Sequence, residues 1–172
     1  WDDDIDISML RSDYEKMQHL AMQEFTGDIF FQSTYTDSQV MQVTKIRDRR
    51  TTAIEYPELD GSFCQGIFID IFPMDDAVDD IHFTDQMKEI ERECLLSAVN
   101  PKLLLEQIAN GYQTVMPFDM LSEMMRSGPR AAFRQFELFA LDHAGTSENI
   151  GWISNELRGG SARRKREWYT DV

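Results

Sequence analysis

Cysteine is nearly absent: the 172 residues hold two, Cys64 and Cys94, far apart and at no zinc or redox spacing. That excludes a disulfide scaffold and a thiolate metal site, and it reads as two reduced core thiols in a cytoplasmic protein. No apolar run approaches the roughly 18 residues that a membrane span needs, so no transmembrane segment is predicted. Basic charge is scarce as well, with 17 Lys and Arg against 31 Asp and Glu and a formal charge of −14. Such a surface repels nucleic-acid phosphates, which excludes a non-specific DNA or RNA binder. Internal repeats and low-complexity linkers are missing, so residues 1–172 read as a single domain. His19, His82 and His143 show no metal-ligand spacing and are assigned no role.

What is present is an ordinary globular composition, 42% hydrophobic and 28% charged, with eleven Phe and ten Met that argue against disorder. Ile5-Asp6-Ile7 alternates as a short half-buried strand does. Ser12 and Glu15 have capping-box spacing and predict a helix start. Leu10, Tyr14, Met17, Ala21 and Phe25 form its apolar stripe, and Gly27-Asp28 its end. Ile29–Phe31, Val40–Val43 and Thr51–Ile54 read as strands, with Arg47-Asp48-Arg49-Arg50 as a charged turn between the last two. Ile67–Phe72 is a strongly apolar strand containing one carboxylate and stopped by Pro73, after which Asp75 and Asp76 fall in a loop. From Phe83 the period becomes helical, with further helices over Leu103–Ile108, Phe118–Met125 and Ala131–Leu141. Gly159–Arg166 reads as a basic loop, solvated in preference to the competing reading in which Arg163–Arg166 meet a phosphorylated acceptor or an anionic membrane face. Strands early and helices late predict an α+β fold, sheet in the N-terminal half and helices in the C-terminal half.

The chemistry concentrates in carboxylates. On a strand, Asp2, Asp4 and Asp6 share one face. Three like charges there are costly unless a cation sits among them, and hard oxygen ligands suit Mg2+ or Mn2+. A solvated acidic run is the competing reading. Asp70 has only apolar neighbours in Ile67–Phe72, so its carboxylate must be paired, protonated or metal-bound. Its competing reading is a hydrogen-bonded residue at a strand edge.

Asp4-Ile5-Asp6-Ile7 together with Ile69-Asp70-Ile71 resembles the metal triad of the nucleotidyltransferase fold, in which two carboxylates on one strand and a third on a neighbour hold the catalytic metals. The wording is closer still to one family. Trp1–Ile7 followed by Arg11-Ser12-Asp13-Tyr14-Glu15 looks like the WDDDIDI…R-x-DYE signature of the LicD family. Lys45-Ile46-Arg47 with Thr51-Thr52 is similar to its K-[LI]-R…T segment, and Gly66–Asp75 to its GIFIDIFPLD block. Lys165-Arg166-Glu167-Trp168-Tyr169 looks like its K-x-E-W-[FY] element.

The resemblance implies a nucleotidyltransferase-like mixed sheet with helices packed on it. It implies transfer of a phosphorylated alcohol, typically phosphocholine, from a CDP-activated donor onto a surface glycan or its lipid-linked precursor, such as lipopolysaccharide or teichoic acid. The inner membrane surface would then be the place of work. By position, Asp4, Asp6 and Asp70 would be the metal ligands and catalytic residues, with Asp70 also a candidate base. Arg11, Lys45 and Arg47 would meet the donor phosphates. Ser8 stands where the family has Gly, and neither its glycine-bearing segment before WDDD nor its L-Y-G-D-Y-like segment after K-x-E-W-F is in the sequence. A domain truncated at both ends is therefore expected. A non-catalytic acidic module that binds metal or a partner is the alternative function.

Overall fold

The computed structural model describes residues 5–37, 43–55, 63–76, 85, 88–94, 101–142, 147–151 and 164–170. The expected strand residues 40–42, the helix start at Phe83 and the first part of the basic loop lie outside them. The protein is α+β, and its chain divides into two compact units, Trp1–Pro73 and Met74–Val172.

In the first unit, β1 (Asp6–Leu10) runs directly into α1 (Arg11–Glu24). Leu10 occupies the N-cap position and makes no side-chain capping hydrogen bond. The predicted Ser12–Glu15 capping box is therefore displaced: the strand turns into helix at once, so Ser12 is already in the first turn. The helix also stops at Glu24, before Gly27, with the Phe25 N–H donating to the Ala21 carbonyl at 2.9 Å. Its buried face is Arg11, Tyr14, Gln18 and Ala21, a helical stripe in which two members are polar. Tyr14 donates to Gln18 at 3.1 Å, and its hydroxyl also hydrogen-bonds Thr44.

β2 (Ile29–Gln32), β3 (Thr44–Asp48) and β4 (Phe68–Asp76) follow, paired antiparallel in that order. Lys45 lies opposite both Gln32 and Asp70, and Arg47 opposite Phe30 and Phe68. Alternation then divides the sheet into two faces. Phe31, Thr44, Ile46, Ile69 and Ile71 share one, the face to which the Tyr14–Thr44 bond ties α1. Phe30, Gln32, Lys45, Arg47, Phe68 and Asp70 share the other.

Three sequence expectations are corrected here. Arg47 and Asp48 belong to β3, and only Arg49-Arg50 turn. Thr51–Ile54 is no strand: the Thr51 hydroxyl donates to the Asp48 carbonyl at 2.7 Å and accepts the Ile67 N–H, an irregular crossing. Pro73 does not stop β4: it falls between the β3 ladder, which ends at Ile71, and the β5 ladder, which begins at Asp75.

In the second unit the end of β4 pairs with β5 (Asn149–Gly151), and β5 with β6 (Arg164–Lys165). The C-terminal half thus contains strands as well as the predicted helices. Asp75 and Asp76 are buried strand residues rather than loop residues. Asp76 accepts the Ser147 N–H at 2.8 Å and forms an ion pair with Arg166, which also donates to the Ser147 carbonyl at 2.9 Å. Arg166 is therefore bound in place and not part of a solvated basic run.

The helices of this unit are a segment over 88–94, α2 (Pro101–Ala109), α3 (Phe118–Ser127) and α4 (Pro129–Asp142). α3 and α4 pack as a hairpin hinged at Gly128, whose φ of 90° suits glycine. Its core includes Leu104, Met120, Met124, Phe133, Phe136 and Ile150.

Candidate active site

Two cations on β3 build the site. Lys45 is 4% and Arg47 0% exposed, an arrangement that a protein tolerates only with paired, hydrogen-bonded charges. Lys45 Nζ lies 2.6 Å from Asp70 Oδ1 and 3.0 Å from Glu55 Oε1. Arg47 pairs with Glu55 Oε2, donates to Gln32 Oε1 and reaches the Gly66 carbonyl at 2.5 Å. Both cations also stand over the Phe68 ring, Lys45 at 3.7 Å and Arg47 at 4.6 Å from its centroid. The result is a neutral quartet of Lys45, Arg47, Glu55 and Asp70 on one sheet face.

Glu55 was not foreseen. It sits in an irregular segment, and nothing in its local sequence announces that one carboxylate bridges two cations from a strand ten residues earlier. Its own N–H is held by Gln65 Oε1 at 3.2 Å, which fixes where the side chain starts.

Asp70 is buried, and burial is the main reason its carboxyl pKa is raised; Lys45 opposes the shift, and the charges of Glu55 and Asp6 add to it. The pairing of their strands brings Asp6 near. β1 is bonded to β4, the Asp70 N–H donating to the Ile5 carbonyl at 2.9 Å, and Asp6 is the next residue, exposed at the start of β1. Asp4, like Asp2 and Asp3, lies outside the described residues. Arg11 is placed against the Tyr14 ring, 5.3 Å from its centroid. Arg47, fully enclosed by its partners, is held behind the site rather than displayed at its surface.

Among the described residues, no group of three or more His, Cys, Asp or Glu is gathered for a metal. The chemistry of the donors is nonetheless compatible with magnesium: Asp6 and Asp70, on bonded strands, would offer it hard oxygen atoms. Mg2+ commonly takes one or two protein carboxylates and completes its shell with water and substrate phosphate.

The chain matches the family model described as LicD/FKTN/FKRP, nucleotidyltransferase domain, over residues 1–101. It is a member of the LicD family. The match takes in Asp4, Asp6, Arg11, Lys45, Arg47 and Asp70, while the Lys165–Tyr169 element lies beyond it. LicD membership implies a transferase of phosphorylated alcohols. No curated protein and no solved structure matches the chain. No helix among the described residues of this LicD protein is long and apolar enough to cross a membrane.

One further buried carboxylate serves structure. Glu93, fully buried in the second unit, accepts Tyr112 Oη at 2.7 Å, Thr114 Oγ1 at 2.5 Å and the N–H groups of Val115 and Met116. Such a carboxylate anchors the 112–116 loop rather than performing chemistry.

Proposed function

We propose that the protein is a metal-dependent transferase that moves a phosphorylated alcohol such as phosphocholine. The donor is CDP-activated, and the acceptor is a hydroxyl of a glycan or lipid-linked glycan. The observation that carries this reading is Asp70, a buried carboxylate on β4 whose proton affinity is raised and whose strand is bonded to β1 at Ile5-Asp6. Asp4, Asp6 and Asp70 would hold Mg2+ or Mn2+. When bound, the ion supplies charge neutralisation of the donor phosphates.

The residues of the chain do the rest. Asp70 is the third ligand or the acceptor of the hydroxyl proton, and both roles need its carboxylate. The freed oxygen forms a bond to the phosphorus of the phosphorylated alcohol, and the bond to the nucleoside monophosphate breaks, so CMP leaves with the electron pair. Lys45, paired with Asp70 and Glu55, and Arg47, paired with Glu55, hold the carboxylates of the site in place rather than offering free charge to the donor, so in a chain of charge −14 the metal would carry most of the neutralisation of the donor phosphates. A cytoplasmic location at the inner membrane surface suits a lipid-linked acceptor. The rival reading, a non-catalytic acidic module that binds metal or a partner, does not need Asp70 beside Asp6, and the bonding of β4 to β1 at Ile5 favours the enzyme.

Release of CMP from CDP-choline, followed by phosphorus NMR with a glycan acceptor, tests the proposal. Turnover is expected to need Mg2+ or Mn2+ and to vanish in Asp70→Asn. Undiminished turnover in excess chelator, or an active Asp70→Asn, would overturn it.

A further inference from the structure

On the sheet face of the charged quartet, beside it, opens a cavity of about 550 Å3. Phe30, Arg49, Thr52, Ile54, Phe63 and Gln65 are among its lining residues. Its size and its mixture of apolar walls with a few polar groups are those of a small-molecule site.

Arg49 distinguishes it. Lys45, Arg47 and Arg50 each have a carboxylate partner, whereas among the described residues none pairs with Arg49. In a chain with 31 acidic residues, an arginine without one among the described residues is conspicuous. Its guanidinium lies instead on the Phe30 ring, 3.7 Å from the centroid. The stack follows from position: Arg49 continues the Lys45–Arg47 alternation by two residues, and Phe30 is the cross-strand partner of Arg47. Arg49 is exposed and lines the cavity together with Phe30 and with Ile54, which is itself 60% exposed. Phe63 is buried in the cavity wall.

Two lining residues tie the cavity to the quartet. Gly66 lines the cavity while its carbonyl accepts Arg47, and Gln65 lines it while its side-chain oxygen accepts the Glu55 N–H. A ligand with a flat ring in the cavity therefore has its substituents beside the charged residues. A guanidinium plane on an aromatic ring is suited to stacking a planar heterocycle.

We propose that this cavity is a nucleoside subsite, in which the base of the donor stacks on the Arg49–Phe30 platform. The proposal deepens the donor reading above and rests on it.

The test is calorimetric titration of the protein, with Mg2+ present, by CMP, by ribose 5-phosphate and by pyrophosphate. The wild type is expected to bind CMP at least about tenfold more tightly than ribose 5-phosphate, the gain of one stacked base. Arg49→Ala and Thr52→Trp, both at exposed positions, are expected to remove that gain and leave pyrophosphate binding unchanged. Arg49→Lys keeps the charge but not the plane and is expected to restore little of it. CMP binding that both variants leave intact, or CMP no tighter than ribose 5-phosphate, overturns the subsite while the donor reading stands on pyrophosphate binding. A wild type that binds none of the three overturns both.

Discussion

Glu55 holds two buried cations with one carboxylate, Lys45 through Oε1 and Arg47 through Oε2. Removing its charge leaves a fully buried guanidinium with only neutral acceptors, a much larger loss than deleting an exposed pair such as Lys16–Asp13. Glu55→Gln is expected to destabilise the fold by roughly 3 kcal/mol and Lys16→Ala by less than about 1 kcal/mol. Urea unfolding, with the midpoint shifting at constant slope, measures both. The thiols supply a second residue-scale prediction. Burial pushes the Cys94 thiol up from its ordinary 9.0 to about 12, while Cys64 is only half-buried. Because the folded value is raised, the Cys94 contribution to stability is complete below pH 9 and is lost as pH rises toward 12. Iodoacetamide at pH 8 is expected to label Cys64 in the folded protein and Cys94 only on unfolding. The Cys94→Ala variant should lose less stability than wild type above pH 9. Equal labelling of the two thiols would contradict the burial.

Elements are positioned here by a few backbone contacts. The lead-in to β4 passes so near the end of β3 that a Cβ at Gly66 would meet the Asp48 carbonyl oxygen at 2.0 Å. That oxygen also accepts the Thr51 N–H and hydroxyl, so it cannot easily retreat. Gly66→Ala is expected to cost more than about 2 kcal/mol and to disturb Arg47, which donates to the Gly66 carbonyl. A fall in thermal midpoint accompanied by weakened donor binding would show it; a neutral substitution would mean that the crossing is looser than described. The turn that follows β3 is secured differently. Asp48 accepts Arg50 through side chain and backbone, which holds its pKa down at about 2. With a depressed folded value, its contribution is present above the ordinary 3.8 and lost as pH falls toward 2, and salt should weaken it because the pair is exposed.

At the scale of the whole molecule, −14 charges weigh on folding, and a cation that binds only the folded state opposes them. With Asp4, Asp6 and Asp70 as a metal site, Mg2+ at a hundred times its dissociation constant should stabilise by about 2.7 kcal/mol. Melts at fixed ionic strength should show that rise in wild type and none in Asp70→Asn. Without metal, Asp70→Asn is expected to lower the midpoint, because Lys45 loses its closer partner in a buried setting. An equal response of both variants to Mg2+ would reduce the acidic run to a screened surface patch.

Periodicity and word-like motifs are local properties, so they were legible in the chain itself. The α+β class, the three C-terminal helices and the strand around Asp70 could be read from spacing, and the family from WDDDIDI and GIFIDIFP. What the tertiary structure decided is non-local. Arg47 looks like part of a charged turn until cross-strand register sets it against Phe30 and Phe68 and brings Glu55 to it. Pro73 looks like a strand end until β4 is seen to change partners there. Arg166 looks like one of a basic run until Asp76, ninety residues earlier, takes its guanidinium. The physical reason is the same each time: a charge or a missing N–H has a meaning set by its partner, and that partner is supplied by folding, not by sequence neighbours.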